Sequence, residues 1–304
     1  HEDHDEDEDH DEDEDHDEEE DHDHDEEHEG ELEYFDRSID STSFALSIGK
    51  NINTFWDLNI GFSTVQRAPS AVELFMNGPH LATGRFEVGN PDLLAERSNN
   101  FDISLEYEKD GFFGELNLFN NKVSNYIYLR DESDEEHEEH EEEHDDHGGL
   151  ILANYFQEDA SFNGYEFEIG KVFDLSRGNL SLSFGRDSVT GEFVNGDNVP
   201  RIIPSRNIYS VSYNQDNYEL KLNLKDVASQ NSISEFETAT EGYQLLDLLF
   251  KRTFNLNNKS NLNISLFANN VLNKIARNHT SFVKDQVPLP GRNFGIRFNL
   301  NFVR

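Results

Sequence analysis

Residues 293–302 read NFGIRFNLNF. Phe294, Ile296, Phe298, Leu300 and Phe302 take every second position, and Gly, Arg and Asn lie between them. Successive side chains of a strand point to opposite faces, so this stretch is a strand with one apolar and one polar face. The same period recurs upstream. Phe44, Leu46 and Ile48 alternate with small residues, and Trp56, Leu58, Ile60 and Phe62 with Asp, Asn and Gly. Further sets run through Phe101–Tyr107, Leu116 and Leu118, Tyr165–Ile169, Leu180–Phe184, Tyr209–Tyr213, Tyr218–Leu224 and Leu262–Leu266. Only 242–252 is ambiguous, because its leucines run together. Counting that segment, the pattern predicts eleven strands.

The connections alternate between two kinds. Short ones fall at 50–54, 109–111, 174–178, 215–217 and 255–260; long ones at 67–97, 131–153, 191–205, 229–241 and 271–290. Strict alternation means successive antiparallel strands with all short turns at one end and all long loops at the other. Bacterial outer-membrane barrels sort their loops this way, with short periplasmic turns and long outer loops. The predicted fold is therefore all-β, an antiparallel transmembrane β-barrel whose apolar face meets outer-membrane lipid. Eleven is odd, and an open sheet edge is not tolerated in lipid. Eleven is half the strand count of the large plugged transporters. The expectation is that residues 31–304 form the C-terminal half of a 22-stranded plugged barrel. Residues 1–30 and an insert at 131–149 would then be outer loops.

Composition agrees. There is no cysteine, hence no disulfide framework or thiolate metal site. No run of about eighteen apolar residues exists, so no transmembrane helix is expected. The chain opens on His1 with no apolar leader, which fits a mature protein or a fragment. The net charge is −40, but residues 1–29 are twenty-two acids and seven histidines, and 131–147 hold twelve more acids and four histidines. Without these tracts, thirty acids face twenty-four Lys and Arg. The acidity thus belongs to appendages, and no basic patch suits nucleic acid.

Three segments go beyond periodicity. Residues 66–74 read QRAPSAVEL and lead into FMNGPHLATGRFEVGNPDL and ERSNNFDISLEYE; residues 266–274 read LFANNVLNK; the C-terminal region reads VPLPGRNFGIRFNLNF. In this order they resemble the C-terminal barrel half of TonB-dependent outer-membrane receptors, across nearly all of 31–304. Asn77-Gly78-Pro79-His80, with the His/acid-rich tracts, resembles the zinc-uptake branch. The resemblance implies an N-terminal plug and opening driven by the TonB energy-coupling complex, in the outer membrane of a Gram-negative bacterium. Neither a plug nor a coupling box stands among these residues.

The tracts offer imidazole and carboxylate to a divalent cation. Imidazole suits Zn²⁺, Cu²⁺ and Ni²⁺, whereas acids alone suit Ca²⁺. Candidate metal ligands are His4, His10, His16, His22, His24 and His28 in the first tract and His137, His140, His144 and His147 in the second. The first four are six apart and share no helical face. The second set is spaced three, four and three, which would line one side of a helix. Metal-coupled ordering follows: a 131–147 peptide is expected to gain helical circular dichroism on adding Zn²⁺, and no gain would remove the idea. Two isolated histidines, His80 and His279, are candidates for a tighter site, although a lone loop histidine is also an ordinary surface residue. The bland alternative for both tracts is hydration of the outer loops.

The leading expectation is energy-coupled import of a divalent metal, zinc first, with no catalytic cofactor and no enzyme activity. The alternative within the fold is a receptor for haem or an iron chelate. An outer-membrane enzyme lacks support, since no G-x-S-x-G elbow is present. A non-transporting metal buffer is the remaining class.

Overall fold

The computed structural model describes residues 38–132, 149–257 and 259–302. In chain order the elements are β1 (Phe44–Asn53), β2 (Trp56–Arg67), α1 (Ala71–Phe75), β3 (Asn77–His80), β4 (Arg85–Val88), β5 (Glu96–Lys109), β6 (Phe112–Asp131) and β7 (Ile151–Asp174). They continue as β8 (Asn179–Phe193), β9 (Arg206–Gln215), β10 (Tyr218–Val227), β11 (Tyr243–Asn257), β12 (Ser260–Asn269) and β13 (Asn293–Phe302). Eleven of these strands form one antiparallel meander, β1-β2-β5-β6-β7-β8-β9-β10-β11-β12-β13. The expected eleven-strand wall is present, with short and long connections at opposite ends. The ambiguous 242–252 stretch falls within β11. Its Leu246, Leu248 and Phe250 pair with Leu224, Leu222 and Leu220 of β10, which places them in the apolar row.

Register carries that row across the whole sheet. Ile48 pairs with Ile60, Ile60 with Ile103, Ile103 with Leu118 and Leu118 with Tyr165. At the other edge Phe250 pairs with Leu266 and Leu266 with Ile296. These residues stay exposed: Ile48, Phe62, Leu118, Leu220, Leu266 and Phe298 are among many large apolar side chains open to the surroundings. A water-soluble sheet would cover such a band. Here the bilayer is the solvent for it. Buried apolar side chains, such as Leu93, Ile127, Ala153 and Val199, instead gather at the long-loop end.

Local chemistry explains the turns. Asp110 and Gly111 join β5 to β6, both at positive φ (50° and 77°), as Asp-Gly in a tight hairpin requires. A Cβ on Gly111 would also lie 2.5 Å from the Val172 carbonyl. On the polar face, the rings of Phe113, Phe119 and Phe267 lie over Gly170, Gly164 and Gly295 of neighbouring strands. Each ring thereby covers backbone that the glycine leaves bare.

β6 and β7 are longer than a membrane crossing needs, which is about ten residues. Above the wall a bulge between Val123 and Tyr126, with Asn125 at φ 57°, inserts one residue and reverses the side-chain alternation. Asn125 is fixed there by Asp159 Oδ1, which accepts from its N–H at 2.8 Å. Beyond the bulge both faces of the ribbon find cover. Ile127 packs with Leu74 and Leu93, while Tyr126 and Tyr128 pack with Ala160, Phe193 and Val199.

Candidate metal-capture site

The loop between β2 and β5 is built from short pieces. Ser70 caps α1: its side chain accepts from the Glu73 N–H at 3.3 Å, and Glu73 Oε2 accepts from the Ser70 N–H at 2.6 Å. This is a capping box. Burial raises the Glu73 carboxyl, but the Arg67 guanidinium and the Ser70 N–H outweigh it and hold the group below its ordinary value. Asn90 Oδ1 accepts from the Asp92 N–H at 2.9 Å, forming a turn that delivers Leu93 to the buried cluster with Leu74. The Asn-Pro-Asp-Leu element is thus an anchor for the loop.

Between these anchors stands a hairpin absent from the sequence-based expectation. β3 and β4 pair antiparallel, with His80 opposite Arg85 and Gly84 at φ 67° in the turn. Pro79 is tolerated because β3 pairs on one side only. His80 Nδ1 lies 2.8 Å from Glu87 Oε1, and the Thr83 hydroxyl donates to the same oxygen at 2.8 Å. The Tyr155 hydroxyl donates to Glu87 Oε2 at 3.4 Å. The Glu87 side chain is 3% exposed and that of His80 48%. Because a carboxylate only accepts, Nδ1 carries the proton of this bond. Nε2 is then the nitrogen available to a cation.

The same hairpin holds the stem of the second His/acid tract. β4 pairs in parallel with the start of β7, Arg85 opposite Ile151. Arg85 forks onto Asp131, Nε to Oδ1 and Nη2 to Oδ2 at 2.6 Å each. Its Nη1 donates to the carbonyls of Thr83 and Phe282 at 2.6 and 3.3 Å. The Glu132 N–H donates to the Leu152 carbonyl at 2.9 Å, and Asn154 donates to the Glu132 carboxylate. Both ends of the insert therefore leave from beside the strand that pairs with His80.

His279 has a different setting. Its side chain is 1% exposed, with Nδ1 3.0 Å from Thr240 Oγ1 and 3.5 Å from Lys284 Nζ. Nε2 lies 3.1 Å from Glu237 Oε1, without hydrogen-bond direction. Glu237 also faces Lys284 Nζ at 3.3 Å and accepts from the Arg201 and Ser234 N–H groups at 3.0 and 3.2 Å. Burial raises Glu237, but His279, the Ser234 N–H and Lys284 together hold it at about 2. A cation at His279 would meet the Lys284 ammonium.

Arg201 stacks 3.4 Å over Phe282, and Arg85 lies 4.5 Å from the same ring. Beside them opens a cavity of about 210 Å³ lined by Tyr128, Arg130, Arg201 and Phe193 but also by Asp131, Glu158, Asp197 and Asp285. Among the described residues no three His, Asp or Glu side chains group as a metal site. His4, His10, His16, His22, His24, His28, His137, His140, His144 and His147 lie outside the described residues, as does the expected helix at 131–147. Reading the sequence alone did not find Glu87, Arg85 or Glu237; His80 came from its motif, and only the hairpin register brings Glu87 to it.

Comparison with known proteins gives concordant results. The structure is similar to the copper transporter OprC, with a TM-score of 0.67 at 17% identity over 85% of this chain and 39% of that one. It is similar to the siderophore receptor PirA from Pseudomonas aeruginosa, with a TM-score of 0.57 at 14% identity over 86% and 42%. A ferric enterobactin receptor, PfeA from Pseudomonas aeruginosa, matches with a TM-score of 0.56 at 17% identity over 86% and 40%. The chain spans about two fifths of the length of these structures. At such identities they establish the fold. The profile of the family described as TonB dependent receptor-like, beta-barrel matches residues 9–271, and the chain belongs to that family.

Proposed function

We propose that this chain is the wall and outer-loop half of an energy-coupled outer-membrane receptor that imports a divalent metal, zinc first. The observation that carries the reading is His80. Its ring is half exposed and oriented through Nδ1 by a buried carboxylate, and it stands beside both ends of the tract that holds His137, His140, His144 and His147. A carboxylate behind a histidine fixes the tautomer and raises the basicity of the other nitrogen, the usual support for a metal-binding imidazole. The tracts raise the local cation concentration through their field and supply weak, numerous ligands. His80 is a tighter station below them, with co-ligands from the remainder of the receptor. Its transport energy comes from the TonB complex. His279, beside an ammonium, is read as a structural clasp.

Zinc and copper share imidazole as a ligand, and OprC, a copper transporter, has a similar fold. The second reading is an iron chelate. Arg130, Arg201 and Tyr128 around the 210 Å³ cavity favour it, and PirA and PfeA are siderophore receptors. The acids lining the same cavity oppose an anionic chelate.

In cells carrying the whole receptor, Glu87→Gln is expected to weaken zinc uptake about tenfold, and His80→Ala at least as much. Uptake of labelled zinc at limiting concentration reads this directly. If both variants import zinc normally while deletion of the receptor blocks only chelate-bound iron, the iron reading replaces the zinc one.

A further inference from the structure

The outward face of the wall is charged with one sign at one end. Toward the short turns its outward positions include Lys50, Lys109, Lys171 and Arg252, interleaved with Ile52, Phe173, Phe254 and Leu256, and no acid occupies an outward strand position there among the described residues. Acids at this end point the other way: Asp57, Glu106, Glu115 and Glu168 are successive register partners on the inward face. The cations sit on rings. Lys109 Nζ lies 4.5 Å over Phe55, and Lys171 Nζ lies 3.8 Å over Phe112. Lys109 and Lys171 are both register partners of Phe112, so they bracket it from the two adjoining strands. Their backbones are then about 10 Å apart, two strand spacings.

Directly toward mid-wall is a gap. The outward row there reads Trp56, Tyr107, Gly114, Ile169, Phe184. Gly114 is not at positive φ, and a Cβ built on it would lie 3.4 Å from the Glu168 carbonyl and 3.5 Å from Ile169 Cγ2. Neither backbone nor packing demands glycine here. Gly114 lies in the floor of an open groove of about 890 Å³ that is also lined by Trp56, Tyr107, Phe112, Ile169, Lys171 and Leu182. That volume falls in the ~300–1,000 Å³ range of small-molecule sites.

We infer that this groove binds one anionic glycerophospholipid of the leaflet that meets the short turns. An acyl chain lies over Gly114 between the rings of Tyr107 and Phe112 and the side chain of Ile169, and the phosphate meets the ammonium groups of Lys171 and Lys109. Charge complementarity selects the ligand: Lys171 is the outward charged residue of the lining, Glu115 belongs to the inward face, and Lys109 stands just outside the groove on the adjoining strand. Each basic group near a membrane surface adds to the binding of anionic lipid. Its place at the short-turn end selects phospholipid over the glycolipid of the opposite leaflet. The inference rests on the barrel lying in the outer membrane as proposed above, and not on the identity of the metal.

Native mass spectrometry of the purified full receptor tests it, with phosphatidylglycerol and phosphatidylcholine of matched chains added in turn. One phosphatidylglycerol is expected to stay on each barrel in preference to phosphatidylcholine. Lys171→Gln should weaken retention about fivefold, and the Lys109→Gln/Lys171→Gln pair about thirtyfold. Gly114→Leu, which raises the floor of the groove, should weaken retention of both lipids. Unchanged retention in the double lysine variant, or equal retention of the two lipids by the wild type, overturns the site. Gel mobility before and after heating reports whether each variant has assembled, and the lysine pair decides the matter if Gly114→Leu does not. Zinc uptake measured in parallel separates the two readings: selective lipid retention by a receptor that imports no zinc leaves this site standing and removes the metal one.

Discussion

Arg85→Ala is expected to loosen the outer loops by about 3–5 kcal/mol, the cost of stranding a buried charge. Asp131, whose side chain is 13% exposed, would lose both guanidinium bonds. The carbonyls of Thr83 and Phe282 would lose a donor, and Phe282 one of its two stacked cations. Hydrogen exchange reads the loss. Amides of 85–88 and 151–154, which pair in register, should exchange faster by about two to four orders of magnitude, while mid-wall amides such as those of β9 and β10 stay protected. Arg85→Met combined with Asp131→Leu should recover most of the protection, since removing both charges costs less than removing one. Unchanged exchange in Arg85→Ala would mean that strand pairing alone holds the stem. If His80 is the tighter station, the same variant should also weaken zinc uptake, because the stem of the tract is no longer held beside β3.

Glu237→Gln is expected to have an effect of similar size on a different pair of loops. Glu237 is 8% exposed and faces His279 and Lys284, 1% and 6% exposed. Without its charge the Lys284 ammonium is buried with no anion, again about 3–5 kcal/mol by analogy with broken buried pairs. The loops at 229–241 and 271–290 should then part, which exchange at Thr240 and across 279–285 would show. The pH dependence has a definite sign. Glu237 is held at about 2, below the ordinary carboxylate value of 4.5. Its contribution is complete above 4.5 and is lost as pH falls from there through about 2. The clasp should therefore hold at pH 5 and open only in stronger acid. In Glu237→Gln this acid step should be absent. An acid step that persists in Glu237→Gln would show that another group controls the clasp.

The wall was legible because its signal is local. Strand period two needs no knowledge of neighbours, and the lipid supplies one uniform solvent to every apolar position. Eleven strands and the sorting of their loops follow from that alone. β11 resisted because Leu245 and Leu249 face inward, opposite Lys225 and Lys221, and so interrupt the alternation with leucines on both faces. Only pairing with β10 settles which leucines meet lipid. β3 and β4 resisted for another reason. Four residues each, one of them containing Pro79, are too short to show a period.

Taken alone, the sequence determined the fold class, the wall and the face that meets lipid. Each is a matter of residue type and spacing along the chain. Only the tertiary structure decided which histidine stands with which carboxylate. His80 and Glu87 meet through a hairpin register, Arg85 and Asp131 across forty-six positions, and His279 and Glu237 across two loops. It therefore separated two isolated loop histidines that read alike in sequence: one half exposed on a buried carboxylate, the other enclosed beside an ammonium. The physical reason is that a ligand or a clasp is defined by burial and by the charge facing it, and both are properties of contacts far apart along the chain.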